Sequence, residues 1–327
     1  MRNASTSRLA IVFALAAGLL MLSGGTSAQV WPTKTIMIVS PFPAGGITDL
    51  LSRIVGEELA KALNQTVVVE NRTGAGGAIA LASVAKAAPD GYTLVMGGSA
   101  PSVIVPAVNP AITYGPKDFE AIAYVAALPI MLVANPAVPA ASLKEFIAYA
   151  KANAAKLNCA HHGAGTGTHL SCVMFSRAIG TPITDVAYKG APQVNADLLS
   201  NRVQFYFGTL PTEIGYVRAG QLRAYGVAAT ERVASAPDVP TLEEQGLSGL
   251  NFDTWNALYA PAGTPKAIVS RLNAEVVKIL QMPEVKKRIE ATGSIVRPGS
   301  AEQLRKLTYD EYEVYRKLAA EANIRIN

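Results

Sequence analysis

The chain is poor in the residues on which catalysis and metal binding draw. It has 327 residues, of which 2 are cysteine, 3 are histidine and 16% are charged. It carries no G-x-S-x-G elbow and no His-Glu zinc helix, two of the local patterns that activate a nucleophile or a metal-bound water. No aromatic-interleaved basic patch occurs, and the Lys286-Lys287-Arg288 cluster reads as a solvated helix face. Nothing there marks a nucleic-acid partner. No repeat of solenoid period is visible. One uncharged stretch, Ala121 to Ser142, has the length to span a bilayer, but Pro129, Asn135, Pro136 and Pro139 interrupt it, and a pair of short strands over 122–136 fits it better.

What is present begins with an address. Arg2 and Arg8 precede an uncharged run from Leu9 to Leu22, and small residues follow as far as Ser27-Ala28. This is the order of a secretory signal peptide, with cleavage expected after Ala28. No cysteine lies near that point, so a lipid anchor is not indicated. An exported, periplasmic chain is expected. Without residues 1–28 the formal charge falls from +5 to +3, a mild balance. At about 150 residues per domain the length favours two domains, and 50% apolar content can supply a core for each. In an oxidising compartment Cys159 and Cys172 could form a bridge worth about 3 kcal/mol; the other reading is two small buried apolar residues.

The rest is an alternation of strands and helices. The run Thr35 to Ser40 passes through Pro41 to Gly46 into a helix over 47–63, whose apolar face is marked by Leu50, Leu51, Ile54, Val55, Leu59, Ala62 and Leu63. Strands at 66–70 and 92–97 follow, apolar throughout, as in a parallel sheet covered on both faces. Three strand-to-helix or strand-to-loop junctions are glycine-rich: Pro41 to Gly46, Gly97 to Ser102 and Gly163 to Leu170. Glycine lets backbone approach a ligand closely, and the first N–H groups of a helix have no partner within it. A carboxylate or phosphate is the natural guest of such junctions, and in open α/β sheets ligands sit beyond the carboxyl ends of the strands. The plainer reading of the first junction is an ordinary βα turn with Asp49 as a first-turn acid. A second α/β domain follows over 156–228, a turn-rich piece spans 230–250, the strand 252–261 is the return crossing, and helices start near Pro265, Pro283 and Ser300.

His161, His162 and His169 invite a zinc reading, yet strand neighbours point to opposite faces, so His161 and His162 do not easily reach one ion. GAGGAI (74–79) lacks the last small residue of a dinucleotide fingerprint and follows the second strand, so no cofactor is expected; Asn71 and Arg72 read as holding that loop. Trp255 reads as core.

Several blocks in one order resemble the Bug-type extracytoplasmic solute receptors of the tripartite tricarboxylate transporter systems: PFPAGG with Asp49, QTVVVENRTGAGGAIA (65–80), PDGYTL (89–94), GAGTGTHL (163–170), AYKGAPQVNADL (187–198), RVASAPDVPTLEEQG (232–246) and PAGTP (261–265). The resemblance covers the mature chain. It implies a type II periplasmic-binding-protein fold of two α/β lobes, residues 29–130 with 254–327 and residues 131–253, with a ligand cleft between them. It also implies a small organic carboxylate as ligand, integral-membrane transporter subunits as partners, a monomer, and no catalysis. The first-lobe contacts it implies are Pro43, Ala44, Gly45 and Gly46, with Asp49 steadying the loop, and Ser99 and Ala100. Across the cleft it implies Gly163, Thr166, Gly167, Thr168 and His169, flanked by Tyr188 and by Phe207, Gly208 and Thr209. This chain departs from the family pattern in having His161 and His162 where a Ser is frequent, and Gly208 and Thr209 where an acid often follows the Phe. The missing acid removes a partner for a ligand ammonium, so a carboxylate without an amino group is expected, and Tyr206 with the two histidines would favour an aromatic or hydroxylated acid. Two other functions stay open on sequence: an exported hydrolase or metal-dependent enzyme using His161, His162, His169, Cys159 and Cys172, and a sensing receptor for a membrane signalling partner.

Overall fold

A computed structural model describes residues 31–250 and 253–321; the expected signal peptide lies outside them. The chain divides into two compact units, 1–33 and 34–327. In the first, the Trp31–Pro32 peptide bond is cis. All that follows concerns the second.

The order begins with β1 (Ile36–Ser40), α1 (Ile47–Leu63), β2 (Val67–Asn71), α2 (Ala78–Ala85) and β3 (Thr93–Gly98). A π-helical turn at Ser99–Ile104 and the short α3 (Val105–Val108) lead to β4 (Phe119–Ala134). Next come α4 (Leu143–Ala152), β5 (Asn158–His161), α5 (Gly167–Ala178), β6 (Thr184–Ala187), α6 (Ala191–Leu199), β7 (Phe205–Thr209), α7 (Leu210–Arg218) and β8 (Arg223–Val227). Strand β9 (Asp253–Pro261) returns, followed by α8 (Lys266–Gln281), α9 (Pro283–Glu290), β10 (Ile295–Val296) and α10 (Ala301–Glu321). The sheet order is β2-β1-β3-β9-β4-β7-β5-β6, with β8 and β10 also paired to β4. Strand β1 is parallel to β2 and β3, as the apolar runs require, and β9 enters antiparallel between β3 and β4.

The stretch read as two strands over 122–136 is one, the 16-residue β4. Proline cannot donate to a ladder and is confined to places where its missing N–H does no harm. Here Pro129 stands where β4 changes partners: Phe119 to Pro129 pair with β9, and Ile130 to Ala134 with β7. One strand thus serves both lobes. Among the described residues no helix is long and apolar enough to cross a membrane.

Each lobe has its own core. In the first, Val39, Leu81, Val95, Trp255, Tyr259 and Leu304 are buried together. In the second, β7 splits its side chains by the period of two: Phe205 and Phe207 join Phe146, Phe175 and Tyr225 on one face, whereas Tyr206 joins Met131, Val133 and Val194 on the other. Each such buried side chain contributes about 1.5–3 kcal/mol relative to exposure. Helix ends follow their chemistry. Ser142 caps α4 by accepting the Glu145 N–H at 3.2 Å, Ser300 and Gln303 cap α10 reciprocally, and α1 ends at Asn64 with φ 49°, a left-handed residue of the kind that closes helices.

Candidate functional site

A cavity of about 60 Å³ opens between the lobes. Four helices begin on its wall: Gly46, Thr166, Gly190 and Thr209, the cap residues of α1, α5, α6 and α7, all line it. Three of those caps, Gly46, Gly190 and Thr209, supply no side-chain hydrogen bond, so the first-turn N–H groups are left to other partners. The hydroxyls of Thr48, Ser99, Thr168, Thr212 and Thr254 share the lining, with Phe42, Pro43, His162 and Asn256. Among the described residues lining it there is no Lys, Arg, Asp or Glu. The field in this cavity comes from backbone and dipoles.

The first-lobe loop is braced from below. Asp49 is buried and its carboxylate accepts the Gly45 N–H at 3.0 Å and Asn71 Nδ2 at 2.9 Å, and pairs with Arg53 at 2.9 Å. Asn71 Nδ2 also reaches the Phe42 carbonyl at 2.8 Å. Burial opposes ionisation of Asp49, but the hydrogen bonds from Arg53, Gly45 and Asn71 outweigh it and hold the carboxyl below 3.8. Because the folded value is depressed, this stabilisation is present above the unfolded value and is lost as pH falls through the folded one. Asp49→Ala leaves the Gly45 and Asn71 donors unpaired and is expected to cost about 2 kcal/mol in urea unfolding near neutral pH. The difference from wild type should shrink in acid; an undiminished difference there would contradict the ionised brace.

The second-lobe turn is held differently. Cys159 on β5 and Cys172 on α5 form a disulfide across a separation of 13 residues, enclosing the turn Gly163 to Thr168. Gly163 and Gly165 have φ of 123° and 78°, where a side chain would be strained. Thr166 Oγ1 donates to the Gly163 carbonyl at 2.8 Å and accepts the His169 N–H at 3.3 Å.

The histidines divide. His162 lines the cavity, its ring hydrogen-bonded to the Tyr206 hydroxyl, and burial, aided by the proximity of His161, pushes its pKa down to about 3, so it is neutral. His161 and His169 face away from the cavity toward Asp185, and the three bring ligand-type atoms within 4.8 Å of one another. Both rings, however, accept a backbone N–H at Nδ1, from Gly163 at 3.1 Å and Gly165 at 3.2 Å. That places the proton on Nε2, where His161 donates to Asp185 Oδ2 at 2.9 Å. An ion would need the Nε2 lone pairs and would have to break both backbone bonds. Burial, with the His161 neighbour, also lowers His169 to about 4.

Against this geometry stand the comparisons. Residues 51–324 match the model of the tripartite tricarboxylate transporter family receptor. The chain belongs to that family. The receptor is similar to the periplasmic binding protein BugD, with 32% identity, TM-score 0.85 and coverage of 90% of this chain and 99% of that one. It is similar to MatC from Rhodopseudomonas palustris with bound malate, at 34% identity, TM-score 0.84 and coverage of 88% and 99%. A second R. palustris protein, with adipate, aligns at 31% identity and TM-score 0.86 over 90% and 99%. The fold is therefore the two-lobed periplasmic-binding-protein fold, and the receptor is a solute-binding protein and not an enzyme.

Of the site residues named from sequence, Pro43, Gly46, Ser99, His162, Thr166, Gly167, Thr168 and Thr209 line the receptor's cavity. Ala44 and Gly45 line a neighbouring opening. Asp49, Ala100, His161, Gly163, His169, Tyr188 and Gly208 lie outside the lining; Tyr188 turns its hydroxyl to Asp197 at 2.8 Å. Sequence reasoning missed the floor. Thr254, Trp255 and Asn256 on β9 line the cavity, tied in by Thr48 Oγ1 to Asn256 Oδ1 at 3.3 Å and by Trp255 Nε1 to Glu311 at 3.1 Å. The available signal was Thr254 and Asn256, two polar residues on either side of Trp255 in a strand that is otherwise apolar after Asp253. Thr212, Gly190 and Pro192 gave no such signal. Across the mouth the lobes touch: a Cβ on Gly190 would stand 2.6 Å from Pro43 Cδ, and one on Gly76 2.9 Å from the Ala164 carbonyl oxygen.

Proposed function

We propose that this receptor captures a small organic carboxylate without an amino group between its lobes and delivers it to the integral-membrane subunits of a transporter. The carrying observation is the convergence of four helix N-termini on a cavity free of charged side chains. Each N-terminus contributes roughly 0.3–1 kcal/mol toward an anion, together on the order of 1–4, and each hydrogen bond to the charged group about 1.5–3 kcal/mol. Contacts from Gly46, Ser99 and Thr48 on one side and His162, Thr166, Thr168 and Thr209 on the other would hold the acid. Lobe boundaries at 130/131 and 253/254 put the hinge on β4 beside Pro129 and at the start of β9, the two crossings. Residues 1–28 would export the chain. Closure needs no chemistry: the ligand meets both lobes only in the closed state and shifts the equilibrium by that difference. The malate and adipate held by two solved relatives support the carboxylate class.

The test is calorimetric titration of the purified receptor with mono- and dicarboxylates, amino acids and zinc. At least one dicarboxylate should bind and, at about 100 times its dissociation constant, stabilise the fold by about 2.7 kcal/mol. Equal affinity for an α-amino acid would refute the absence of an amino group, and a response to zinc alone would refute the carboxylate reading.

A further inference from the structure

Directly behind the second-lobe wall lies a carboxyl group that the binding reading leaves unused. Glu213 on α7 is fully buried, with 0% exposure. Its Oε1 meets Thr212 Oγ1 at 2.6 Å and Asn195 Nδ2 at 3.3 Å, and its Oε2 has no partner; neither has Asn195 Oδ1. Position 208 is glycine because this carboxyl occupies the space: a Cβ there would stand 2.4 Å from Glu213 Cγ and 2.8 Å from Cδ. Thr212 in turn contacts Thr209 Oγ1 at 3.0 Å, and both threonines line the cavity. The residues form a chain from the buried acid to the cavity wall.

The proton count along that chain decides what the wall presents. Each hydroxyl has one proton, and an ionised carboxylate can only accept. If Glu213 is charged, Thr212 must donate to it, Thr209 then donates to Thr212, and Thr209 offers the cavity a lone pair. If Glu213 is neutral with its proton on Oε1, it donates to Thr212, whose own proton then goes to the Thr209 carbonyl oxygen at 2.9 Å or to Thr209 Oγ1 at 3.0 Å, and the Thr209 hydroxyl proton is free for an anion. We propose that Glu213 is the proton-holding positioning residue of this site, which as a neutral acid leaves the Thr209 hydroxyl free to donate to a bound carboxylate and on ionising draws the Thr212 and Thr209 hydroxyls toward itself. The proposal rests on the carboxylate reading above.

The surroundings favour the neutral form. The groups facing Glu213 are Asn195 from α6, Gly208 and Tyr206 from β7, and Thr212 from its own helix, none of them a cation. Burial pushes the carboxyl up to about 7, against the lowering effect of the Thr212 and Asn195 hydrogen bonds. The titratable neighbours are the Tyr206 phenol and, beyond it, His162, which is neutral for the reason given above. Ordinary phenols titrate near 10, so a window between about pH 6.5 and 8.5 isolates the acid.

The experiment titrates malate and adipate into wild type and Glu213→Gln at both ends of that window, and repeats it near neutral pH in two buffers of different ionisation enthalpy. Affinity for wild type is expected to fall about tenfold from the lower to the higher pH, with proton uptake on binding, by linkage. Glu213→Gln, which cannot ionise, should show a flat pH profile and no proton uptake. A flat wild-type profile, or an unchanged profile in the variant, overturns the role of Glu213 while leaving the carboxylate reading intact. Failure of both acids, and of the wider carboxylate panel, to bind at either pH overturns that reading and this one with it. Independently of ligand, infrared difference spectra should show a protonated-carboxyl C=O band in wild type at the lower pH that is lost in Glu213→Gln. Its absence from wild type refutes the neutral acid.

Discussion

Gly190→Leu should weaken carboxylate binding by about a hundredfold while the unliganded protein unfolds almost as wild type does. Gly190 has φ 173° and ψ 175°, extended backbone open to any residue, so the substitution brings no backbone strain. What it brings is a side chain aimed at Pro43 across the mouth, where even a Cβ would stand 2.6 Å from Cδ. Contacts this close exist only when the lobes are together. The variant therefore loses the closed state and with it one lobe's share of the ligand's hydrogen bonds. Two such bonds to an anion are worth about 3 kcal/mol, which is the hundredfold change. Titration calorimetry reads the affinity, and small-angle scattering reads whether ligand still compacts the protein. Wild-type affinity with normal compaction would refute closure across this mouth.

Removing the Cys159–Cys172 disulfide, by reduction or by the double alanine variant, should lower stability by about 3 kcal/mol in urea unfolding, because a separation of 13 residues closes a loop of the size for which the chain-entropy estimate gives that figure. Both cysteines are buried, so the alanine variant adds a small cavity penalty and reduction is the cleaner arm. The bridge also clasps the ends of β5 and α5 around Gly163 to Thr168, half of the second-lobe wall. Weaker ligand binding should accompany the lost stability. An unchanged urea midpoint after verified reduction would show that the turn is held by its own hydrogen bonds.

How much of this was legible in advance depended on the range of the cause. The helix over 47–63, its start after Gly46 and the Ser142 and Ser300 caps follow from apolar spacing and first-turn chemistry, which act within a few residues. The glycine-rich junctions pointed to one edge of the sheet for the same reason. The second lobe was harder. Helix α7 follows β7 without a break, and Pro211, one residue after Leu210, is the one local mark of its start. Strand β4 was divided in two because proline argues against a strand interior; only the partner exchange at Pro129 shows why it is tolerated.

The sequence by itself determined the alternation of strands and helices, the sites where backbone could approach an anion, and the opposite faces of His161 and His162, since all three are set by backbone sterics and the periods of regular structure. The tertiary structure decided what those sites face. It brought Asn256 to Thr48 across 208 residues, joined the two cysteines, and set Glu213 in the space that Gly208 leaves. Sheet order and the packing of α6 and α7 on β7 govern these meetings, and no local pattern in the chain encodes which distant residue will fill a glycine's vacancy.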